Sequence, residues 1–218
     1  MDLIVGGGKY GCYAAKYLRE KKKGFVIVDE KEECLANQKY KLTAYDHATV
    51  EGEYFTLGGL PKVLQLIDGL KPEYVFPTAP VHIAADLAKT KYALTPWNEG
   101  VDCILAKLPQ SVILHGARGK LILSFNRNHD CLDFCSMPQV CPSSGIKKPC
   151  TMTKLMEYAA PDSFILISHS MAPGMGALKG TELREFFDWA KTKNQFVVGT
   201  ACDCHGVFSA FRKVEARE

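Results

Sequence analysis

The sequence predicts an α/β protein, a Rossmann-like doubly wound and mainly parallel sheet with a cysteine-rich metal or iron–sulfur loop inserted in its C-terminal half. Three observations lead there. A glycine-rich turn joins the first apolar run to a helical pattern. Short β-branched runs then alternate with helical ones through the N-terminal part. Four cysteines, Cys131, Cys135, Cys141 and Cys150, share a stretch broken by Pro138, Pro142, Gly145 and Pro149.

The elements follow in order. Residues 2–5 read as a buried strand, and Gly6-Gly7-Gly8-Lys9-Tyr10-Gly11 leads into a helix with Ala14, Ala15, Tyr17 and Leu18 at helical spacing. Gly24 ends that helix. Residues 25–28 form an apolar strand closing on Asp29-Glu30, and a weaker helical segment runs to about residue 41. A strand at 53–57, a helix at 60–70 begun by Pro61, and a strand at 74–76 stopped by Pro77 continue the alternation. Pro80 opens another helix through Val81, Ile83, Ala84, Leu87 and Ala88.

After Trp97 the rhythm weakens, which divides the chain into a dinucleotide-binding part at 1–96 and a C-terminal α/β part at 97–218, or leaves it one continuous domain. Residues 112–114 and 120–125 flank Gly116-Ala117-Arg118-Gly119 as a hairpin, and the cysteine loop fills 126–150. A short helix at 153–158, a strand at 164–168, a helix at 181–191 with Leu183, Phe186, Phe187 and Ala190 on one face, and a strand at 195–198 complete the pattern.

Composition narrows the function. Lys and Arg number 27 against 24 Asp and Glu, and a net charge of +3 is too small to mark a nucleic-acid surface. No run approaches the roughly 20 apolar residues that span a bilayer, and the N-terminus lacks the pattern of a signal peptide, so a cytoplasmic protein without a membrane role is expected. Nine cysteines in such a chain read as thiols or metal ligands rather than as a disulfide framework.

Gly6, Gly8 and Gly11 satisfy the G-x-G-x-x-G spacing in its required context, with a strand before, a helix after and an acid closing the next strand. Gly6 permits the tight turn, Gly8 admits a pyrophosphate to the backbone, and Gly11 lets helix and strand pack closely. The N–H groups of the first helical turn, at Lys9 and Tyr10, face the anion. Asp29 is placed to accept from a ribose diol, which favours NAD over NADP, while another nucleotide in the same turn is the alternative. On these residues the chain resembles, over residues 1–90, the Rossmann-type NAD-binding domains of the TrkA-N (RCK N-terminal) family. The Gly-Gly-Gly opening is also similar to that of siroheme-synthase dehydrogenases. The first resemblance implies dinucleotide binding and regulation, the second a small dehydrogenase.

Three, five and eight residues separate successive members of the cysteine set. These gaps fit neither zinc ribbons nor bacterial ferredoxins, but wide gaps on an irregular loop suit the separated corners of a [4Fe–4S] cluster, with zinc the alternative. Cys202 and Cys204, in Cys202-Asp203-Cys204-His205, follow a strand and add two candidates, with Cys150 the first of the original four to be replaced. Cys12, Cys34 and Cys103 read as buried core thiols. Lys147 and Lys148 offset a cluster's charge or lie on an exposed turn. His129 and His205 are ligand or proton-carrier candidates. Ser168 to Gly176 reads as a glycine-bearing loop between strand and helix, in which His169 and Ser170 are positioned to bind or protonate a substrate.

The expectation is an NAD(H)-binding iron–sulfur protein, a redox enzyme acting with a small-molecule substrate or a redox partner protein. An NAD- and redox-sensing module and a zinc-stapled nucleotide-binding protein are the alternatives, and a homodimer is left open.

Overall fold

The computed structural model describes residues 1–46 and 51–214, and the chain forms two compact units, 1–91 with 177–185 and 92–176 with 186–218. Both are mixed α/β.

In the first unit, β1 (Asp2–Val5) is buried along its whole length and lies parallel to β2 (Phe25–Asp29), pairing Leu3 with Val26 and Val5 with Val28. Between them runs α1 (Lys9–Glu20), whose buried face of Gly11, Cys12, Ala14, Ala15 and Leu18 is mostly small, so the helix can lie close to the sheet. The chain continues through α2 (Leu35–Tyr40), β3 (Thr43–Ala44), β4 (Glu53–Leu57), α3 (Leu60–Leu70), β5 (Tyr74–Pro77) and α4 (Ile83–Lys91). β4 pairs with β2, and β5 returns to the other side of β1, both in parallel. The order across the unit is β5-β1-β2-β4-β3, and the late segment around Leu178 adds an antiparallel edge against β5. The chain therefore reverses its direction of winding between β1 and β5.

Asp2 is buried in this sheet, its Oδ1 accepting the Tyr74 N–H at 2.9 Å while Oδ2 has no partner. Burial pushes its carboxyl above the ordinary range, against the opposing pull of the Tyr74 amide and Lys23.

The second unit departs from the parallel pattern. From residue 92 the chain runs through β6 (Leu94–Pro96), α5 (Asn98–Leu105), β7 (Ile113–Ala117), β8 (Lys120–Ser124), α6 (Met152–Ala159), β9 (Phe164–Ile167), β10 (His169–Ala172), β11 (Met175–Lys179), α7 (Gly180–Lys191), β12 (Gln195–Ala201) and β13 (His205–Lys213), of which residues 177–185, in β11 and α7, belong to the first unit. The sheet order is β7-β8-β13-β12-β9, in which only the β9–β12 pair is parallel. The hairpin expected around residues 116–119 is present, its turn made by Arg118 and Gly119 at φ 47° and 73°.

Two expectations are corrected. The strand at 195–198 is not the last, because β13 follows it, the longest strand among the described residues, and pairs with β12, β8 and β6. The segment 168–176 is not a strand-to-helix loop; it is the hairpin of β10 and β11, turned by Gly174 at φ 74°. One apolar core joins α5 and α6 to the sheet through Ile104, Leu121, Leu123, Met152, Met156 and Phe208. Aromatic rings form a further packed group, with Phe186 and Phe196 centroids 6.1 Å apart and Phe196 and Phe211 5.8 Å apart.

Candidate functional site

The first candidate site lies at the carboxyl ends of β1 and β2. Gly6 takes φ 104°, open mainly to glycine, and a side chain there would crowd the Ala79 amide at 3.1 Å. Thr78 locks the turn by donating its hydroxyl to the Val5 and Gly6 carbonyls at 2.9 and 2.7 Å. Gly11 sits against the Gly6 carbonyl with no room for a Cβ. Gly8, the N-cap of α1, has no side-chain cap, and a Cβ added to it would meet nothing within 4 Å. The start of α1 is therefore open outward at Gly8, and a helix N-terminus is the kind of place where phosphates bind.

Asp29 closes β2 and is tied into the same turn. Its Oδ2 accepts the Gly7 N–H at 2.6 Å and its Oδ1 the Lys31 N–H at 2.8 Å. Each carboxylate oxygen retains capacity for a second donor. Cys34 packs beneath Gly7, and burial pushes both its thiol and that of Cys12 upward, as befits structural thiols. Tyr10 is exposed at the helix start with the Lys9 ammonium 5.4 Å from its ring centre.

The second candidate site is in the second unit, where the cysteine loop meets the turn between β12 and β13. That turn is closed by the Cys202 N–H donating to the His205 carbonyl at 3.0 Å. Within the loop, Val140 pairs with Lys147 and the Cys141 N–H donates to the Ile146 carbonyl at 2.9 Å, so residues 140–147 form a small hairpin turned by Gly145.

This backbone turns N–H groups toward sulfur. Met137 N–H donates to Cys135 Sγ at 3.3 Å, and His205 N–H to Cys202 Sγ at 3.4 Å. The Ser144 hydroxyl, with the amides of Ser144 and Ser143, lowers the Cys141 thiol below its ordinary value. Cys131 Sγ accepts from Asn126 Nδ2 at 3.3 Å and lies 3.3 Å from His205 Nε2. Cys204 Sγ accepts from the ammonium of Lys148 at 3.2 Å. Burial nonetheless pushes the Cys204 thiol up, and Cys202 and Cys135 are near enough to add to that effect. Burial holds the His205 imidazole below its usual value, with the charge of Lys148 adding to the effect.

Five of the six cysteines expected as ligands thus share one neighbourhood: Cys131, Cys135, Cys141, Cys202 and Cys204. Cys150 does not join them by any bond and packs against the apolar core. As they are placed, no three His, Cys, Asp or Glu side chains among the described residues stand close enough to hold one ion. The sulfurs share donors, not a common centre.

Of the three catalytic candidates, His205 lies among these thiols. His169 and Ser170 are on β10, Ser170 exposed, and that hairpin touches the cysteine loop at its tip, where the Gly174 N–H donates to the Cys135 carbonyl at 2.9 Å. His129 is exposed and Lys147 faces solvent, and Cys103 is exposed on α5 where a buried core thiol was expected, unlike Cys12 and Cys34, which are buried. Two residues were missed or misread. Lys148 is buried at 6% exposure where an exposed turn was one expectation, and Asn126 is buried with its Oδ1 lacking a partner. The signal for Lys148 was available: a hairpin through Cys141-Pro-Ser-Ser-Gly alternates its side chains, turning 147 outward and 148 inward.

Comparison with known proteins covers both units. Residues 1–83 match the model of the AF_1314 N-terminal domain and residues 83–214 that of the AF_1314 C-terminal domain, each described as "Uncharacterized protein". A protein of Archaeoglobus fulgidus, described in the same words, is 46% identical over 215 residues, covering 98% of this chain and 100% of that protein. No solved structure matches.

Proposed function

For this chain, which belongs to the AF_1314 family, we propose the role of an NAD(H)-binding iron–sulfur protein, a redox enzyme that links a dinucleotide to a thiolate-held centre. The observation that carries the reading is the set of four cysteines, Cys131, Cys135, Cys202 and Cys204, whose sulfurs accept hydrogen bonds from N–H donors of backbone or side chains, with Cys141 in the same loop. Amides and cations directed at sulfur stabilise thiolates and the sulfides of a cluster, whereas a buried structural thiol needs none.

The donor atoms are of the soft type such a centre takes, but as placed no three of these side chains meet at one point, so the reading requires the irregular loop to draw the sulfurs inward. Cys131, Cys135, Cys141 and Cys204 would hold it, Cys204 replacing the core-packed Cys150. When bound, a [4Fe–4S] cluster supplies a one-electron store or a Lewis-acidic iron. His205, between Cys131 and Cys202, is the proton carrier next to it.

Dinucleotide binding is supported by the first unit. Its strand succession β4-β2-β1-β5 has the 3-2-1-4 arrangement of a Rossmann half, and the glycine turn stands where the winding reverses, the place such sheets bind ligands. The pyrophosphate would lie over Gly8, and Asp29 would receive the ribose hydroxyls, which favours NADH over NADPH. The resemblance to TrkA-N domains supports the same ligand.

A zinc-stapled nucleotide-binding protein is the second reading, favoured by a loop whose own pairing is slight: it carries one isolated bridge, Val140 with Lys147, and a metal would order the rest. Anaerobic incubation with ferrous iron and sulfide, followed by metal and sulfide analysis and calorimetry with NADH and NADPH, tests both. The iron–sulfur reading expects about four irons and four sulfides per chain and tighter binding of NADH. Retained zinc with no sulfide would establish the second reading in its place.

A further inference from the structure

We propose that Cys131 is a nucleophilic thiol that reacts with small disulfides, with His205 taking its proton and Asn126 holding its sulfur. The inference goes beyond the iron–sulfur reading and starts from the geometry that reading must change. As placed, no three His, Cys, Asp or Glu side chains among the described residues converge on one point, so the lining does not fit a shared ion. The sulfur of Cys131 instead has partners of its own, and they are those a reactive thiol needs. One sulfur cannot be a ligand and a free nucleophile at once, so the two uses of Cys131 alternate.

The sheet places both partners. β8 ends at Ser124 and β13 begins at His205, and these two residues pair in the antiparallel register, so the imidazole stands at the strand end from which Asn126 emerges. The Phe125 N–H donates to the Cys204 carbonyl at 3.1 Å and the Asn126 N–H to the Ser124 hydroxyl at 2.9 Å, which fixes the backbone there. Asn126 is 6% exposed. Its Nδ2 donates to the His129 carbonyl at 3.0 Å and to Cys131 Sγ at 3.3 Å, while its buried Oδ1 has no partner. An unsatisfied buried acceptor beside an exposed thiol is a site short of one donor, which an incoming molecule with an O–H or N–H group supplies.

His205 Nε2 lies 3.3 Å from the same sulfur. Nε2 accepts when the ring proton sits on Nδ1, where Cys202 Sγ is 3.8 Å away to receive it. The step is thiol–disulfide exchange. The S–H bond of Cys131 breaks with its proton passing to Nε2, and the sulfur's electron pair forms a bond to one sulfur of the disulfide. The bond between the two substrate sulfurs breaks, and the departing sulfur leaves as a thiol with the proton from Nε2. Cys131 is oxidised to a mixed disulfide while half of the substrate is reduced, so the disulfide is the oxidant consumed. Charge in this reaction stays on sulfur, where Asn126 and His205 are directed, whereas acyl transfer places it on a carbonyl oxygen.

In the test, the full-length chain is reduced, freed of reductant and metal by gel filtration in chelator, and exposed anaerobically to bis(2-hydroxyethyl) disulfide. Free thiols are quenched with N-ethylmaleimide, and mixed-disulfide formation at each cysteine is followed by peptide mass spectrometry. Cys103, exposed on α5, reports what exposure alone gives. Cys131 should react at least about tenfold faster than Cys103, and that lead should vanish in urea, where the strand register is lost. His205→Gln should slow Cys131 at least about tenfold and Asn126→Ser about threefold, with Cys103 unchanged in both. With bis(2-methoxyethyl) disulfide, which has no donor, the lead should shrink about threefold. Circular dichroism checks the fold of each variant, and the urea comparison carries the test if neither folds.

A Cys131 rate equal to that of Cys103 in the folded wild type overturns the proposal, as does a lead that survives in urea, which would assign it to local sequence. Full Cys131 reactivity in folded His205→Gln overturns it by removing the proton acceptor, and an equal lead with the methoxy probe overturns the part assigned to Asn126 Oδ1. Iron and sulfide loading is a separate measurement. A chain that loads neither but shows the lead fails only the iron–sulfur reading, and a chain that loads both but shows no lead fails only this one.

Discussion

The two candidate sites are built in opposite ways. The glycine turn of the first unit is assembled from residues close in sequence, Gly6 to Gly11 and Asp29, held by the ends of regular elements whose positions parallel pairing dictates. The cysteine site of the second unit joins residues as far apart as Cys131 and His205, held by turns and single hydrogen bonds. In the first, the turn that the proposed dinucleotide would use is already formed by the backbone. In the second, donors are present but the sulfurs have not converged on one point, so the proposed centre would have to draw them together. A preformed site should lose binding without losing stability when altered at its open edge. A ligand-completed site should lose its ligand whenever one sulfur is removed.

The largest effect should come from the sulfurs. Cys141→Ser and Cys204→Ser are expected to retain less than about a tenth of the wild-type iron and sulfide after anaerobic reconstitution, while Cys150→Ser keeps nearly all of it. Equal loss in all three variants would return Cys150 to the ligand set and break the contrast drawn from its packing.

Next comes a pair of glycine substitutions. Gly8→Val has open space around it, so its melting temperature should stay near the wild type while NADH affinity falls at least about tenfold, roughly 1.4 kcal/mol, read by calorimetry. Gly6→Val should lose both, because the positive φ and the Ala79 amide forbid the side chain. Undiminished NADH binding by Gly8→Val would remove the dinucleotide from this turn.

A smaller effect is expected at Gly174, which combines φ 74° with close approach to the Asp133 carbonyl. Gly174→Ala should destabilise the second unit by about 1–3 kcal/mol in urea unfolding and slow cluster loading, since it loosens the hairpin tip from Cys135. Loading at the wild-type rate in a destabilised variant would separate the hairpin from the site.

The smallest concerns Asp2. Its carboxyl is raised in the fold by burial, so the folded state holds its proton at a pH where the unfolded chain has released it. Stability should therefore fall as pH rises from the ordinary carboxylate value, about 3.9, through the raised folded value, and level off above it. Asp2→Asn should flatten that fall in a series of melting curves. A slope unchanged by the substitution would assign the pH dependence to other groups.

Much of the first unit was readable because its signals are local: an apolar run, a glycine spacing and an acid at a strand end each specify their own neighbourhood. The second unit was read less well for reasons visible in particular residues. β13 carries Gly206, Ser209 and Ala210 at positions that face packed neighbours, so small residues blurred its alternation and hid a strand buried between others. The run from Ser168 to Gly176 looked like a ligand loop because its glycines were visible, but Gly174 serves a hairpin turn. The Cys150 side chain could not be placed from spacing, because a single step along a loop decides whether a sulfur meets a core or a cluster.

The sequence by itself determined the glycine turn, the acid that supports it and the irregular run of cysteines in the C-terminal half, since residue type and short-range spacing suffice for those. Only the tertiary structure decided that the β12–β13 turn brings Cys202, Cys204 and His205 to the loop, that Cys150 leaves for the core, and that a lysine ammonium is buried against sulfur. Those facts depend on strand register and on which side of a turn faces inward, quantities set by packing between segments far apart along the chain.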